Sequence, residues 1–232
     1  MKIFGDTIFQ KNLENNLEKM PFESKVDFSR IMEIFPLKKI NIIGGFVRDS
    51  ILQVLIDYDF PVNDLDVLVE DLEFENKTKE FSQKNRSRFG GLKFEYDNFS
   101  IDFFGLENIF YLKDNPNLEK NLENVLKGCD LTTSAIGYNL EENKFYSLGA
   151  IEDIYKKTIN INTHKYLKVA PTISRLILHA DKLGFELSKN SLNYIKKNYS
   201  PEIDNEINDF LSYKKIGYLF EQVKDRIEDI VR

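Results

Sequence analysis

The chain has 232 residues, of which 42 % are hydrophobic and 30 % charged, with a net charge of −6. This length suits one catalytic domain with a helical appendage and is short for two large domains, and the composition is that of an ordinary soluble globular protein. No stretch approaches the roughly 18 consecutive apolar residues of a membrane span, so no membrane partner is expected; the acidic balance also argues against a surface built to grip long nucleic acid, which is normally basic.

Met1–Gln10 lacks a basic start and an extended apolar core, so no signal peptide is expected. Residues 7–35 read as mainly helical, with Phe28, Ile31, Ile34 and Phe35 spaced for one apolar face. Residues 1–38 are therefore taken as an N-terminal helical segment. Lys39–Ile43 is a predicted strand running into Gly44-Gly45, and Phe46–Ile56 a predicted helix packed behind it. Leu65–Val69 is the next strand, and Glu73–Gln83 is expected to return as a helix. Gly90-Gly91 breaks the chain before a strand at Leu92–Tyr96, and Asn98 supplies a hairpin turn into Ile101–Phe104. Leu118–Leu126 reads as helical, and Leu131–Asn139 and Lys144–Ser147 as strand-like. From Tyr166 onward Leu167, Ile173, Leu176, Ile177, Ala180 and Leu183 recur at helix spacing, and the last third reads as three or four helices. The expected class is α+β: a small mixed β-sheet with packed helices across residues 39–162, then a helical region over 163–232. The single cysteine, Cys129, precludes an intramolecular disulfide, fits a reducing cytoplasm and reads as a buried small residue. Two histidines, His164 and His179, are too few for a histidine-based metal site.

The chemistry concentrates in Asn41–Glu70. Side chains two apart on a strand share a face, so Asp64 and Asp66 project together while Leu65 and Val67 go the other way. Two adjacent carboxylates repel, and each raises the other's pKa unless a cation sits between them. Paired oxygen donors on a rigid strand suit Mg²⁺, which takes one or two carboxylates together with substrate phosphates. Asp102, alone in the apolar segment Ser100–Phe104, is costly to bury unless paired, protonated or metal-bound. Taken singly, a DxD is common on solvated strand edges and a Gly-Gly pair is usually a turn; it is their order along the chain that points to metal-dependent phosphate chemistry.

Gly44-Gly45-Phe46-Val47-Arg48-Asp49 followed by Asp64-Leu65-Asp66 resembles the GGxVRD…DxD signature of polymerase-β-type nucleotidyltransferases. The similarity is to the head domain shared by poly(A) polymerases and CCA-adding tRNA nucleotidyltransferases. Cys129-Asp130-Leu131-Thr132-Thr133-Ser134-Ala135-Ile136 sits where that family has an RRDFTINAL-like segment, and Arg175–Phe185 is similar to its RAxRFAxxLGF helix. The resemblance covers about residues 39–190. It departs in a longer gap (residues 46–63) between the glycines and the DxD, and in Gly128-Cys129 where the family has an arginine pair. Leu178 replaces the second arginine of the RAxRF helix, and no EDxxR-like base-reading motif is found, which leaves the choice of ATP or CTP open.

The resemblance implies that Asp64, Asp66 and Asp102 hold two Mg²⁺ ions and are catalytic, and that Gly44, Gly45, Arg48, Asp49, Asp130 and Arg175 bind the nucleotide. Arg48 either neutralises phosphate or joins Asp49 in local caps and ion pairs; Arg175 either faces the nucleotide or pairs with an acidic residue. The leading expectation is template-independent transfer of NMP from an NTP to an RNA 3′ end, with release of pyrophosphate. A small-molecule or protein side-chain acceptor is the alternative, and a non-catalytic module the third class. Local RNA contacts are expected from Lys84/Arg86/Arg88/Lys93 or Lys156/Lys157/Lys165/Lys168, although such clusters are usually solvated faces.

Overall fold

Alternating apolar and polar residues build the sheet that organises the first part of the chain. The computed structural model describes residues 1–56, 63–81, 85–86, 91–162 and 167–232, in two units: 1–129 with 134–150, and 130–133 with 151–232. Gln83, Lys84, Arg88, Gly90, His164, Lys165 and Tyr166, together with residues 57–62 of the long glycine-to-DxD gap, lie outside the described residues.

The first unit runs β1 (Lys2–Phe4), α1 (Thr7–Glu18), α2 (Phe22–Ile34), β2 (Ile40–Ile43), α3 (Gly45–Ile56), β3 (Asp64–Val69) and α4 (Phe74–Lys77). It continues with β4 (Leu92–Tyr96), β5 (Phe99–Gly105), α5 (Phe110–Lys113), α6 (Leu122–Lys127), β6 (Ile136–Asn139) and β7 (Lys144–Ser147). Among the described residues these strands form one mixed sheet of order β1-β7-β6-β2-β3-β5-β4, in which β3 and β5 are parallel and the other neighbours antiparallel. One face carries the core residues Leu65, Val67, Phe94, Ile101 and Phe103, and α2 covers it by stacking Phe28 on Phe103 with ring centroids 5.9 Å apart. The other face changes character along the strands. Leu68 and Phe104 meet Leu112, Leu122, Val125 and Leu126 of α5 and α6, whereas the starts of β3 and β5 carry acidic side chains.

The helical reading of residues 7–35 resolves into two helices. Asp6 caps α1 by accepting from Ile8 and Phe9 N–H, and Pro21, which has no N–H to continue the ladder, separates it from α2. The helix expected over Glu73–Gln83 is confined, among the described residues, to α4: the Thr78 hydroxyl donates back to the Phe74 carbonyl, 2.7 Å away, at its end. Asn121 accepts from Asn124 N–H at 3.0 Å and so starts α6 later than Leu118. The strand expected over Leu131–Asn139 begins at Ile136, because Leu131 forms only an isolated bridge to Ile161, with the Thr132 N–H donating to the Asn160 carbonyl, and Thr132–Ser134 then wind into a 3₁₀ turn. Cys129 is partly buried and packs against the α5/α6 cluster, its thiol 3.5 Å from the Ser134 carbonyl. Gly128 leaves room there: a Cβ would lie 2.6 Å from Cβ of Tyr111.

The helix α7 (Ala150–Lys156) leads into the second unit, which contains β8 (Thr158–Ile159), α8 (Val169–Leu183), β9 (Glu186–Leu187), α9 (Lys189–Asn198), α10 (Asp204–Tyr213) and α11 (Phe220–Val231). The apolar stripe of α8, with Ile173, Leu176, Ile177 and Ala180 buried, packs with Ile195, Ile207, Leu211, Val223 and Ile227 in its core. Gly184, at φ +62°, ends α8 in the left-handed conformation that glycine adopts without strain. Among the described residues no helix is long and apolar enough to cross a membrane.

One charge cluster stabilises the far end of β3. Asp71 is buried, receives Lys39 and Lys77 ammonium groups at 2.8 Å each, and accepts Glu73 N–H at 2.8 Å. Burial pushes its carboxyl up, but the two ammonium partners and the N–H outweigh that and hold its pKa at about 2, below the ordinary 3.8. A depressed pKa gives stability that is fully present above the unfolded value and is lost as pH falls through the folded one. We predict that Asp71→Asn lowers the unfolding free energy at neutral pH by about 1–2 kcal/mol, the partly exposed lysines keeping it below the full conversion. In urea titrations the gap between wild type and variant should close as pH falls from about 4 to about 2.

Candidate functional site

Strand register assembles three carboxylates. In the parallel pair, Asp66 of β3 stands opposite Asp102 of β5, and Asp64 opposite Ser100. One oxygen from each of Asp64, Asp66 and Asp102 lies within 4.8 Å of the others, with Asp64 exposed and Asp66 and Asp102 half-buried. The Ser100 hydroxyl donates to Asp64 Oδ1 at 2.8 Å. An all-oxygen anionic donor set of this kind fits a hard divalent cation better than a soft or imidazole-seeking one.

The Gly-Gly turn lies against this cluster. Because β2 pairs with β3 so that Ile43 faces Asp66, Gly44 follows directly beside the carboxylate; a Cβ on it would sit 3.6 Å from Asp66 Oδ2. Gly44 has φ +71°, a conformation that strains an L side chain, and its N–H bonds the Ile136 carbonyl at 2.9 Å. The turn hands the chain straight into α3 at Gly45.

Lys93 was not anticipated at this place. It lies on β4 opposite Asp102, with Nζ 3.5 Å from Asp102 Oδ2 and 3.7 Å from Glu95 Oε1. Burial acts to lower the ammonium's pKa, but the charges of Asp102 and Asp64 and the bond to Asp102 outweigh it, so the net displacement is upward. The sequence held a signal for this contact: in a two-residue hairpin turn over Asp97-Asn98, Lys93 and Asp102 are equidistant from the turn and therefore cross-strand partners.

The remaining predicted residues divide between the two units. Arg48 and Asp49 are only 3 % and 5 % exposed, and the Arg48 Nε–H donates to Asp49 Oδ1 at 2.6 Å. Of the two readings open for Arg48, the structure displays the local ion pair. In the second unit Arg175 of α8 pairs with Asp130 at 3.1 Å, so these two predicted residues hold each other. Arg86, expected to contact RNA, bonds the Thr78 and Glu75 carbonyls.

A mixed sheet with a strand, a Gly-Gly turn and a helix, offering three acidic side chains from two adjacent strands, is an α+β arrangement shared in fold with solved structures. Solved structures bear out that fold class. A structure described as a tRNA-processing enzyme in an apo form matches at 21 % identity with a TM-score of 0.54, covering 92 % of this chain and 59 % of that one. A CCA-adding enzyme in complex with ATP matches at 19 % identity and a TM-score of 0.58, over 91 % of this chain and 51 % of that one. A tRNA nucleotidyltransferase complexed with a primer tRNA and an incoming ATP analogue matches at 20 % identity and a TM-score of 0.56, over 83 % of this chain and 58 % of that one. At these identities the likeness is one of fold, and this chain spans 51–59 % of the length of those three structures. No protein-family model matches the sequence, and no curated protein matches it.

Burial separates the Arg48–Asp49 pair, which is enclosed, from Asp64, Asp66 and Asp102, which are half-buried or exposed. Asp49→Ala breaks a buried ion pair and should destabilise by about 3 kcal/mol. Asp66→Ala relieves repulsion among neighbouring carboxylates and should leave stability unchanged or slightly raised in metal-free buffer. Denaturant titrations of the two variants beside wild type check the contrast.

Proposed function

We propose that this chain is a Mg²⁺-dependent, template-independent nucleotidyltransferase that moves NMP from ATP or CTP to a hydroxyl at an RNA 3′ end. The observation that carries this reading is the carboxylate cluster of β3 and β5 beside the Gly44-Gly45 turn, in a fold whose solved counterparts are described as tRNA nucleotidyltransferases and tRNA-processing enzymes. Asp64, Asp66 and Asp102 would hold the divalent cations. When bound, such ions neutralise charge on the entering and leaving oxygens of an in-line displacement at the α-phosphate.

The other residues of the site contribute binding and orientation. Gly44 and Gly45 present backbone without a Cβ, so a triphosphate can approach closely. The first N–H groups of a helix precede its ladder, which in α3 starts with the Arg48 N–H on the Gly44 carbonyl, and such groups suit phosphate oxygens. The acceptor hydroxyl gives up its proton to solvent as its oxygen bonds the α-phosphorus, the bond from α-phosphorus to the bridging oxygen of the β-phosphate breaks, and pyrophosphate leaves. Arg48 and Asp49 fix the start of α3 behind the turn. Within the second unit, Asp130 and Arg175, paired with each other, keep the nucleotide-binding role that the resemblance implies as a separate expectation. The lone cysteine, Cys129, and the tRNA-related counterparts support a cytoplasmic setting.

The test is incubation of the protein with each labelled NTP, Mg²⁺ and total cellular RNA or extract. Label is expected in RNA 3′ ends, and Asp64→Ala or Asp66→Ala should abolish it. Asp102→Asn should reduce the single-turnover rate by about a hundredfold or more with little change in nucleotide affinity. Transfer at near-wild-type rate by Asp66→Ala would sink the site assignment, whereas Asp66-dependent label appearing in a small molecule or protein would move the acceptor to that class.

A further inference from the structure

The polar face that the first halves of β3 and β5 share with the antiparallel β4 holds a cation of its own. Lys93 and Glu95 of β4 share that face with Ser100 and Asp102 of β5 and with Asp64 and Asp66 of β3, because cross-strand partners point the same way and the residues between them are buried apolar ones. The Lys93 ammonium lies between two carboxylates, 3.5 Å from Asp102 and 3.7 Å from Glu95. Asp102 is half-buried and Glu95 largely exposed, so the two partners differ in solvation. A lysine has a flexible four-carbon stem ending in a compact charge, and can move between two acceptors without any backbone change.

We propose that Lys93 is a resident counter-ion of the carboxylate cluster: it holds Asp102 in place before a divalent cation arrives, competes with that cation, and withdraws to Glu95 when the cation binds. This rests on the metal-site reading of the previous section. Three carboxylates within 4.8 Å repel strongly, and the positive charge of Lys93 beside Asp102 offsets part of that repulsion. The same charge repels an incoming dication. Lys93 therefore sets how much free divalent cation the site requires, and Glu95 sets how readily Lys93 yields. Lys93 is a positioning residue, acting through Asp102 and making no contact with the reacting atoms.

The test reads cation binding directly, on the full chain without nucleotide, by Mn²⁺ titration followed by electron paramagnetic resonance. Lys93→Met should tighten Mn²⁺ binding by about tenfold, and Lys93→Arg, which keeps the charge, should bind within about twofold of wild type. Glu95→Gln should weaken binding by about threefold, and that effect should largely vanish when combined with Lys93→Met, since Glu95 acts through the ammonium. Both side chains are substantially exposed, so the variants are expected to fold; circular dichroism verifies this. Unchanged or weaker Mn²⁺ binding in Lys93→Met overturns the inference, as does a full Glu95→Gln effect in the Lys93→Met background. Asp66→Ala separates the two readings. If it binds Mn²⁺ like wild type, the metal site itself is wrong; if it loses binding while Lys93→Met matches wild type, only the counter-ion role falls.

Discussion

The parallel pairing of β3 with β5 is the constraint on which the rest of the site depends. It sets Asp66 opposite Asp102, joining carboxylates that are 36 positions apart in the chain. The register is held from the opposite face, where Leu65, Val67, Ile101 and Phe103 are fully buried. A slip by one residue would turn Asp102 into the core and Phe103 out of it. Apolar burial on one side of the sheet thereby fixes the acidic geometry on the other, although the carboxylates themselves repel.

The surrounding charges divide by burial into two kinds of work. Arg48 with Asp49, and Asp71 with Lys39 and Lys77, are buried or anchored pairs that secure the start of α3 and the end of β3. Neither end of this framework needs a ligand to be satisfied. Asp64, Asp66 and Asp102 lie at the opposite end of β3 from Asp71, where the covering helices α5 and α6 give way to an acidic surface. A rigid frame that holds an all-oxygen anionic cluster in this way fits a hard divalent cation.

Much of this was legible in the sequence because it rests on local rules. The period of two placed Asp64 and Asp66 on one face, and β2, the Gly44-Gly45 turn and α3 followed from an apolar run, a glycine pair and a helical spacing. What was not legible depends on partners remote in sequence. Nothing local says that β3 and β5 run parallel with Asp66 facing Asp102, or that β1 adds to the sheet beside β7. Arg48 was read with two possible partners because its burial beside Asp49 is a tertiary fact. Short helices such as α4 and α6 were drawn too long where side-chain bonds from Thr78 and Asn121 set their limits. Lys93 was grouped with surface cations because clustering along the chain was weighed, while its cross-strand position was not.

The place of β4 in the sheet gives its charges a second consequence. Among the described residues β4 is the outermost strand on its side, following β5 in the order. Its sequence, Leu92-Lys93-Phe94-Glu95-Tyr96, lies beside the apolar Phe99–Gly105 strand, and such a pair would be adhesive if its edge were bare. Charged side chains on an outer strand oppose the addition of a strand from another copy of the chain. Together with the isolated bridge from Arg86 to Leu92, Lys93 and Glu95 thus disfavour edge-to-edge pairing at the margin beside the carboxylate cluster.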